Sequence, residues 1–316
     1  MLYLNESDIE KCEISWEQTV KTIRETTNTI SRDEYFQPIK PYLYFDNPKN
    51  RIIAMPARVG KDQDGVSGIK WIASFPDNLK KNILRANSLT VLNSSITGEV
   101  LSIINTSKIS AIRTASVSGY MLQNFLNQNE GQNLTALIIG FGPIGQNHLS
   151  LIEELFIERF ERILIFDTNT PDINLIPETI REKVELVDGI TNAFVNSDVV
   201  ITCTTSSEGY ISDKPKQGSL HLNVSLRDYH WSMQHFFDEI IVDSWDEVCR
   251  ANTDIEIMAK NNGLSKEQVV EIQDLDNMNL KNSTVFFNPM GMASFDIAIG
   301  KLFCDFATTN SIGIEL

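Results

Sequence analysis

The stretch LIIGFGPIGQNHL, residues 137–149, decides the fold. A short apolar run reaches Gly140, turns through Gly142, and resumes after Pro143 in a helical pattern. Gly140, Gly142 and Gly145 satisfy G-x-G-x-x-G directly behind a strand. The first glycine permits the tight turn, the second lets the backbone approach a pyrophosphate, and the third packs helix against strand. Pro143 suits the first helical turn, where its missing N–H is not needed. Alone, such a motif also describes an ordinary strand-to-helix turn. The next strand, RILIFD (162–167), adds the second half of the signal, because it ends in Asp167, about twenty residues further on, where a carboxylate can accept from ribose hydroxyls. The residues that follow, TNTPD, supply no Arg or Lys for a 2′-phosphate, so the expected cofactor is NAD rather than NADP.

Outward from this loop, strands and helices alternate: TALIIG, a helix from 143, RILIFD, a helix near 190, DVVITCTT, GSLHLNVSL and EIIVDSW. Apolar strands alternating with helices predict a parallel sheet covered on both faces. Upstream the rhythm differs. A helix over 15–34 is followed by the strand-like runs KPYLYF, RIIAMPARVG, VSGIKWIASF, LTVLN and GEVLSII, then by a long helix through SKISAIRTASVSGYMLQNFL. Short strands between turn signals predict an antiparallel or mixed sheet. The polar stretch NQNEGQN, 127–133, reads as a helix stop and linker. The expected class is therefore α/β, a Rossmann-type parallel-sheet domain over 126–296 beside an α+β substrate and dimerisation domain over 1–125, with a C-terminal helix, 297–316, returning to the first domain.

Composition narrows the function classes. The chain has 316 residues, 42% hydrophobic and 22% charged, which suits ordinary globular domains. A formal charge of −15 opposes a nucleic-acid or anionic-membrane partner, since both need a basic footprint. The start, MLYLNESDIEKCEISW, lacks the basic and apolar parts of a signal peptide or anchor. Cys12, Cys203, Cys249 and Cys304 are scattered without the close pairs of zinc sites. A reduced, cytoplasmic protein without a metal centre is expected.

Three charged residues stand out. Lys70 lies in the apolar run SGIKWIASF, although a strand lysine often sits only on the wet face. Arg113 has small and apolar helix neighbours, unlike a solvated face, so it requires either an anion such as a carboxylate ligand or a buried ion-pair partner. Asp228 follows the strand LHLNVSL, at the carboxyl end where open α/β sheets bind ligands, and is the candidate general base. His230, two residues on, competes with it, and spacing does not separate them. His221, inside a strand, reads as a core residue, while His148 and His235 have no assignable partner. No G-x-S-x-G, metal-ligand cluster or triphosphate loop is present.

The set QPIKPYL, SGIKWIAS, AIRTASVS, IIGFGPIG, VSLRDYH and FFNPMGMASFDIAIG resembles the ornithine cyclodeaminase/mu-crystallin family over nearly the whole chain. The resemblance implies that Lys70 and Arg113 hold a substrate carboxylate, Lys70 also serving catalysis, and that Asp228 acts on the amine and on water. It places Thr204, Thr205, Ser225 and Met290 with Ile144, Pro143 and the glycines at the cofactor, and Gly291 with the substrate. Many members carry Arg where this chain has Lys40, and Lys cannot reproduce a bidentate fork. A homodimer joined through the first domain is implied as well. The motif wording is most similar to one branch, siderophore-pathway dehydrogenases that release 2,3-diaminopropionate and 2-oxoglutarate from N-(1-amino-1-carboxy-2-ethyl)glutamate. Three other activities share the motifs: amino acid cyclodeamination with hidden redox, amino acid dehydrogenation or ketimine reduction, and non-catalytic nucleotide binding of the mu-crystallin kind.

If Asp167 selects NAD by repelling a 2′-phosphate, the double variant Asp167→Ser, Thr168→Arg binds NADP more tightly and NAD more weakly in fluorescence titrations. Equal affinity of the unaltered protein for both nucleotides contradicts this.

Overall fold

The computed structural model describes residues 1–61 and 65–316. The chain divides into two units, Met1–Arg113 with Gly291–Leu316, and Thr114–Met290. The first crossing falls inside the helix Lys108–Gln128 rather than at the polar stretch behind it. A continuing helix needs no linker, and residues 129–133 instead turn the chain into the strand Leu134–Ile139. The second crossing precedes the helix Ala293–Thr309, so that whole helix belongs to the first unit.

The first unit is built on a mixed sheet. Its strand order is Ile314–Glu315, Leu2–Asn5, Val100–Asn105, Ala86–Ser94, Val66–Ser74, Arg51–Val59 and Tyr35–Phe36, with Tyr42–Tyr44 also paired to Arg51–Val59. Leu2–Asn5 runs parallel to Val100–Asn105, and the other pairs are antiparallel. The helix Trp16–Ser31 starts at Ser15, whose side chain and that of Gln18 form a capping box. It packs on Ala293–Thr309, which in turn lies on the three long strands between 51 and 94. That last helix is apolar nearly all round, with Phe295, Ile297, Ile299, Phe303 and Ala307 buried, as a helix enclosed by its neighbours must be. Each large side chain of this kind contributes about 1.5–3 kcal/mol by leaving water.

The second unit carries the alternating pattern. Its eight strands are all parallel, in the order Val184–Leu186, Phe160–Phe166, Leu134–Ile139, Val199–Thr202, Leu220–Asn223, Val285–Asn288, Glu239–Val242 and Val270–Glu271. The central strands Val199–Thr202 and Leu220–Asn223 are buried end to end and Leu134–Ile139 over its last four residues, because helices cover both faces of such sheets. Chain progression reverses at the neighbours Leu134–Ile139 and Val199–Thr202, the switch point beside which open α/β sheets bind ligands. Val285–Asn288 is an addition to the sequence reading: it inserts between the strands ending at Asn223 and Val242. Four fully buried residues carry no period, so nothing in VFFN separates a strand from other buried chain. Among the described residues no helix is long and apolar enough to cross a membrane.

His221 lies in the core, its ring within reach of Ser219 Oγ at 2.8 Å and Tyr229 Oη at 2.9 Å and packed among Phe194, Phe237 and Tyr229. Burial lowers its pKa from 6.5 to about 3, and lowers that of His148, held by Ser118 and Ile144, to about 4. Both rings are neutral when folded, and the unfolded chain takes up their protons first. Their contribution is therefore intact above about pH 6.5 and is lost as pH falls below it. His221→Gln flattens the fall of unfolding free energy between pH 6 and 4.5 by about 1.4 kcal/mol per pH unit relative to the parent, measured by urea titration at each pH. Parallel curves for the two proteins contradict a neutral buried imidazole.

Candidate functional site

The glycine loop has three different local reasons. Gly140 has φ +93°, and a Cβ there would lie 2.7 Å from the Cys203 carbonyl oxygen. At Gly145 a Cβ would meet the Gly140 oxygen at 2.2 Å, so this glycine lets the helix Pro143–Phe156 close on the strand before it. Gly142 is exposed, has an ordinary φ of −70°, and has room for a Cβ with no atom within 4 Å. Neither backbone nor packing demands glycine at 142. The open space there suits the close approach of a pyrophosphate to the backbone. Gly142 is also the N-cap of this 14-residue helix, without a side-chain cap, and Pro143 follows at its first position. That end presents N–H groups and the positive end of the helix dipole to an anion. The residues present thus fit a dinucleotide pyrophosphate.

Asp167 is bound into the same loop. Its Oδ2 accepts from Phe141 N at 2.7 Å and its Oδ1 from Asn169 N at 2.9 Å. A carboxylate has about four acceptor positions, so two remain for ribose hydroxyls. Ile144 is half-buried and Thr205 exposed. Met290 donates its N–H to Asp243 Oδ1 at 3.0 Å.

Thr204, Ser225 and Asp228 come together. Thr204 Oγ1 and Ser225 Oγ both donate to the Asp228 carboxylate, which is fully buried. Burial raises its pKa, and bonds from Thr204, Tyr210 and Thr202 with the charge of Arg227 pull the other way. A buried carboxylate with a raised pKa and hydroxyl neighbours can hold and pass a proton. His230 is placed differently: its Nδ1 accepts from Ser232 N and lies 2.7 Å from Ser232 Oγ, capping the turn Trp231–Phe236. Asp228 is thus surrounded by hydroxyls, whereas His230 has its Nδ1 engaged in a local cap. Asp254, absent from the sequence reading, accepts the Asp228 and Tyr229 N–H groups on Oδ2 at 3.1 and 3.0 Å. Burial pushes its carboxyl up to about 6.

In the first unit, Lys40, Lys70 and Arg113 are all buried. Lys70 Nζ and Arg113 Nε converge on one oxygen, Asp296 Oδ1, at 2.9 and 2.8 Å, and Lys70 also donates to Ser110 Oγ at 3.0 Å. Lys40 Nζ donates to the Gly291 carbonyl at 2.8 Å. Gly291 has φ +87°, and a Cβ there would lie 2.7 Å from an Arg113 guanidinium nitrogen, so glycine gives Arg113 its place. Burial lowers the Lys70 pKa to about 8, Asp296 opposes the fall, and Arg113 and Lys40 add to it. Burial raises the Asp296 carboxyl, but Arg113 and then Lys70 more than offset that and hold it below the usual carboxylate range. Asp296 sits in the first turn of its helix, where the dipole favours a negative charge. The sequence reading missed it. The available signal was one acid inside the apolar run SFDIAIG, an obvious partner for a buried arginine.

Asp296→Asn leaves two buried cations without their shared carboxylate and lowers unfolding stability by about 3–5 kcal/mol in urea titration. Lys11→Ala, which removes a pair whose lysine side chain is 61% exposed, changes it by less than about 1 kcal/mol. Equal effects of the two substitutions contradict the shared-carboxylate arrangement.

N-((2S)-2-amino-2-carboxyethyl)-L-glutamate dehydrogenase of Staphylococcus aureus (strain NCTC 8325 / PS 47) is 32% identical, with 100% of this chain and 98% of that protein covered. In fold, the chain is similar to Thermococcus litoralis Delta(1)-pyrroline-2-carboxylate reductase in complex with NADH and L-proline (TM-score 0.88, 21% identity, all of both chains covered). It is also similar to an archaeal alanine dehydrogenase dimer with bound NAD (TM-score 0.80, 19% identity, 100% and 98% covered). The model of the ornithine cyclodeaminase/mu-crystallin family matches residues 2–228, and the chain belongs to that family.

Proposed function

We propose that the protein is an NAD-dependent oxidoreductase acting on a C–N bond of an amino acid derivative, and that its substrate is N-(2-amino-2-carboxyethyl)glutamate. The observation that carries the class of substrate is the convergence of two buried cations, Lys70 and Arg113, on one carboxylate oxygen, Asp296 Oδ1. An excess of buried positive charge calls for an anionic ligand. The specific substrate rests on the 32% identity with the Staphylococcus aureus dehydrogenase.

In this reading Arg113 and Lys70 grip the glutamate-derived α-carboxylate and Lys40 takes another carboxylate of the substrate, fixing the α-carbon for reaction. Gly140, Gly142, Pro143, Ile144 and Gly145 hold the cofactor pyrophosphate, Asp167 the ribose, and Thr204, Thr205, Ser225 and Met290 flank the rest. NAD supplies the acceptor for the α-hydrogen as hydride. Asp228 takes the proton of the secondary amine, leaving an imine between that nitrogen and the former α-carbon. The cationic side chains favour attack by charge placement. Asp228 returns that proton to the imine nitrogen and then draws one from water as the water oxygen adds to the imine carbon; it passes this proton to nitrogen and takes the carbinol O–H proton as the carbonyl forms and the C–N bond breaks. The products are 2,3-diaminopropionate, 2-oxoglutarate and NADH, consistent with a role in siderophore or related secondary-metabolite biosynthesis. A homodimer joined through the first unit and a cytoplasmic location complete the proposal.

Absorbance at 340 nm tests it. NADH forms with N-(2-amino-2-carboxyethyl)glutamate, and Asp228→Asn lowers turnover by about 10²-fold or more while NAD still binds. His230→Gln costs much less. NADH consumption with a cyclic imino acid instead, or ammonia release without net NADH, assigns the chain to a reductase or cyclodeaminase activity. A dead His230 variant beside an active Asp228→Asn enzyme shows the base to be misassigned.

A further inference from the structure

Asp228 lies on a turn that does not hold its own shape. Leu226, two residues earlier, has φ +64°, a left-handed conformation that an L side chain adopts only with strain. Such a turn persists only where its surroundings determine it, and here the determinant is one buried residue, Asp254. Its own N–H donates to the Leu226 carbonyl at 2.8 Å. Its Oδ2 accepts three donors: Asp228 N, Tyr229 N, and Asn223 Nδ2 at 2.8 Å. Asn223 closes the ring by accepting from Leu226 N at 3.2 Å and from Thr202 Oγ1 at 3.0 Å. On the far side of the turn, Tyr210 and Ile211 donate their N–H groups to the Asp228 carbonyl at 2.9 and 2.8 Å. The backbone of Asp228 is thus fixed on both sides, and its side chain is held by the surrounding hydroxyls, Thr204 and Ser225 among them.

We infer that Asp254 is the positioning residue of this enzyme: it holds the strained turn so that the Asp228 carboxylate is presented in one orientation. The inference rests on the proposed role of Asp228 as base. The arrangement goes beyond what helix formation requires. The helix Asp254–Asn262 is already capped by Thr253, whose side chain accepts from Glu256 N, so the Asp254 carboxylate is not needed to start it. An acid at a first helical position is ordinarily solvated and interacts with the dipole alone. This one is 4% exposed, and its Oδ2 faces backbone N–H groups of another loop. Asp254 gives Asp228 no side-chain hydrogen bond; it acts on it through the two backbone N–H groups and through the repulsion between the two buried carboxylates, which helps raise the Asp254 carboxyl.

A double-mutant cycle reads this directly. Asp254→Asn keeps size and removes the charge that gathers three donors. Its kcat falls about 10- to 100-fold, the scale of a small displacement of a reacting group, while KM and NADH affinity by fluorescence stay near parental values. In the Asp228→Asn background the same substitution costs less than about twofold, because nothing remains to be positioned. A residue that only stabilises the unit would cost as much in both backgrounds. Leu226→Gly is the second variant: it leaves the carboxylate in place, frees the turn, and follows the same pattern of loss beside Asp228 and silence without it. Parental kcat in Asp254→Asn, or losses that add in full, overturns the inference while leaving Asp228 as base. Parental turnover in Asp228→Asn overturns both.

Discussion

The carboxylate of Asp296 is the point on which the first unit turns. Two segments remote in sequence, the strand Val66–Ser74 and the helix Lys108–Gln128, each send one charged side chain to it, and a third, the helix Ala293–Thr309, carries it. Burying Lys70 and Arg113 without an anion costs several kcal/mol per ion, and a single oxygen that accepts from both makes that burial tolerable. The first helical turn suits such an anion, because unpaired N–H groups and the dipole favour it there. The consequence is a pair of cations held rigidly, with Lys70 ionising near pH 8 rather than in the ordinary lysine range.

Two buried acids of the second unit are satisfied by other means. Asp228 and Asp254 are satisfied by hydroxyls and backbone amides, and both have their pKa raised by burial. A carboxylate with a cation beside it stays ionised and fixed. One held by neutral donors can gain and lose a proton. Asp296 and Asp228 therefore differ in chemistry for reasons visible in their neighbours rather than in their residue type.

Much of this was legible from sequence where one residue type carries one physical meaning. The three glycines and Asp167 announce a strand, a turn and a helix in fixed order, and buried Arg113 betrays itself through apolar neighbours, whereas the burial of Lys70 in its strand stayed open. The edges of both sheets were less visible. Leu2–Asn5, Tyr35–Phe36, Val184–Leu186 and Val270–Glu271 are too short to establish a period. Asp254 was beyond reach, since an acid after Thr253 looks like any solvated helix start. Only the fold carries the Asp228 turn to it. The boundary between units was hidden for the opposite reason, because the helix Lys108–Gln128 crosses it without a break.

The chain path has a further consequence. Residues 114–290 form one continuous segment with its own sheet, whereas the first unit needs residues from both sides of it. During synthesis from the amino end, the second unit has all its residues before the first can close. Until residue 296 is made, Lys70 and Arg113 have no carboxylate to bury against, and Leu2–Asn5 lacks the neighbour Ile314–Glu315. The half of the molecule that is translated first is thus the last to be finished, and its cations remain in water until the final helix arrives.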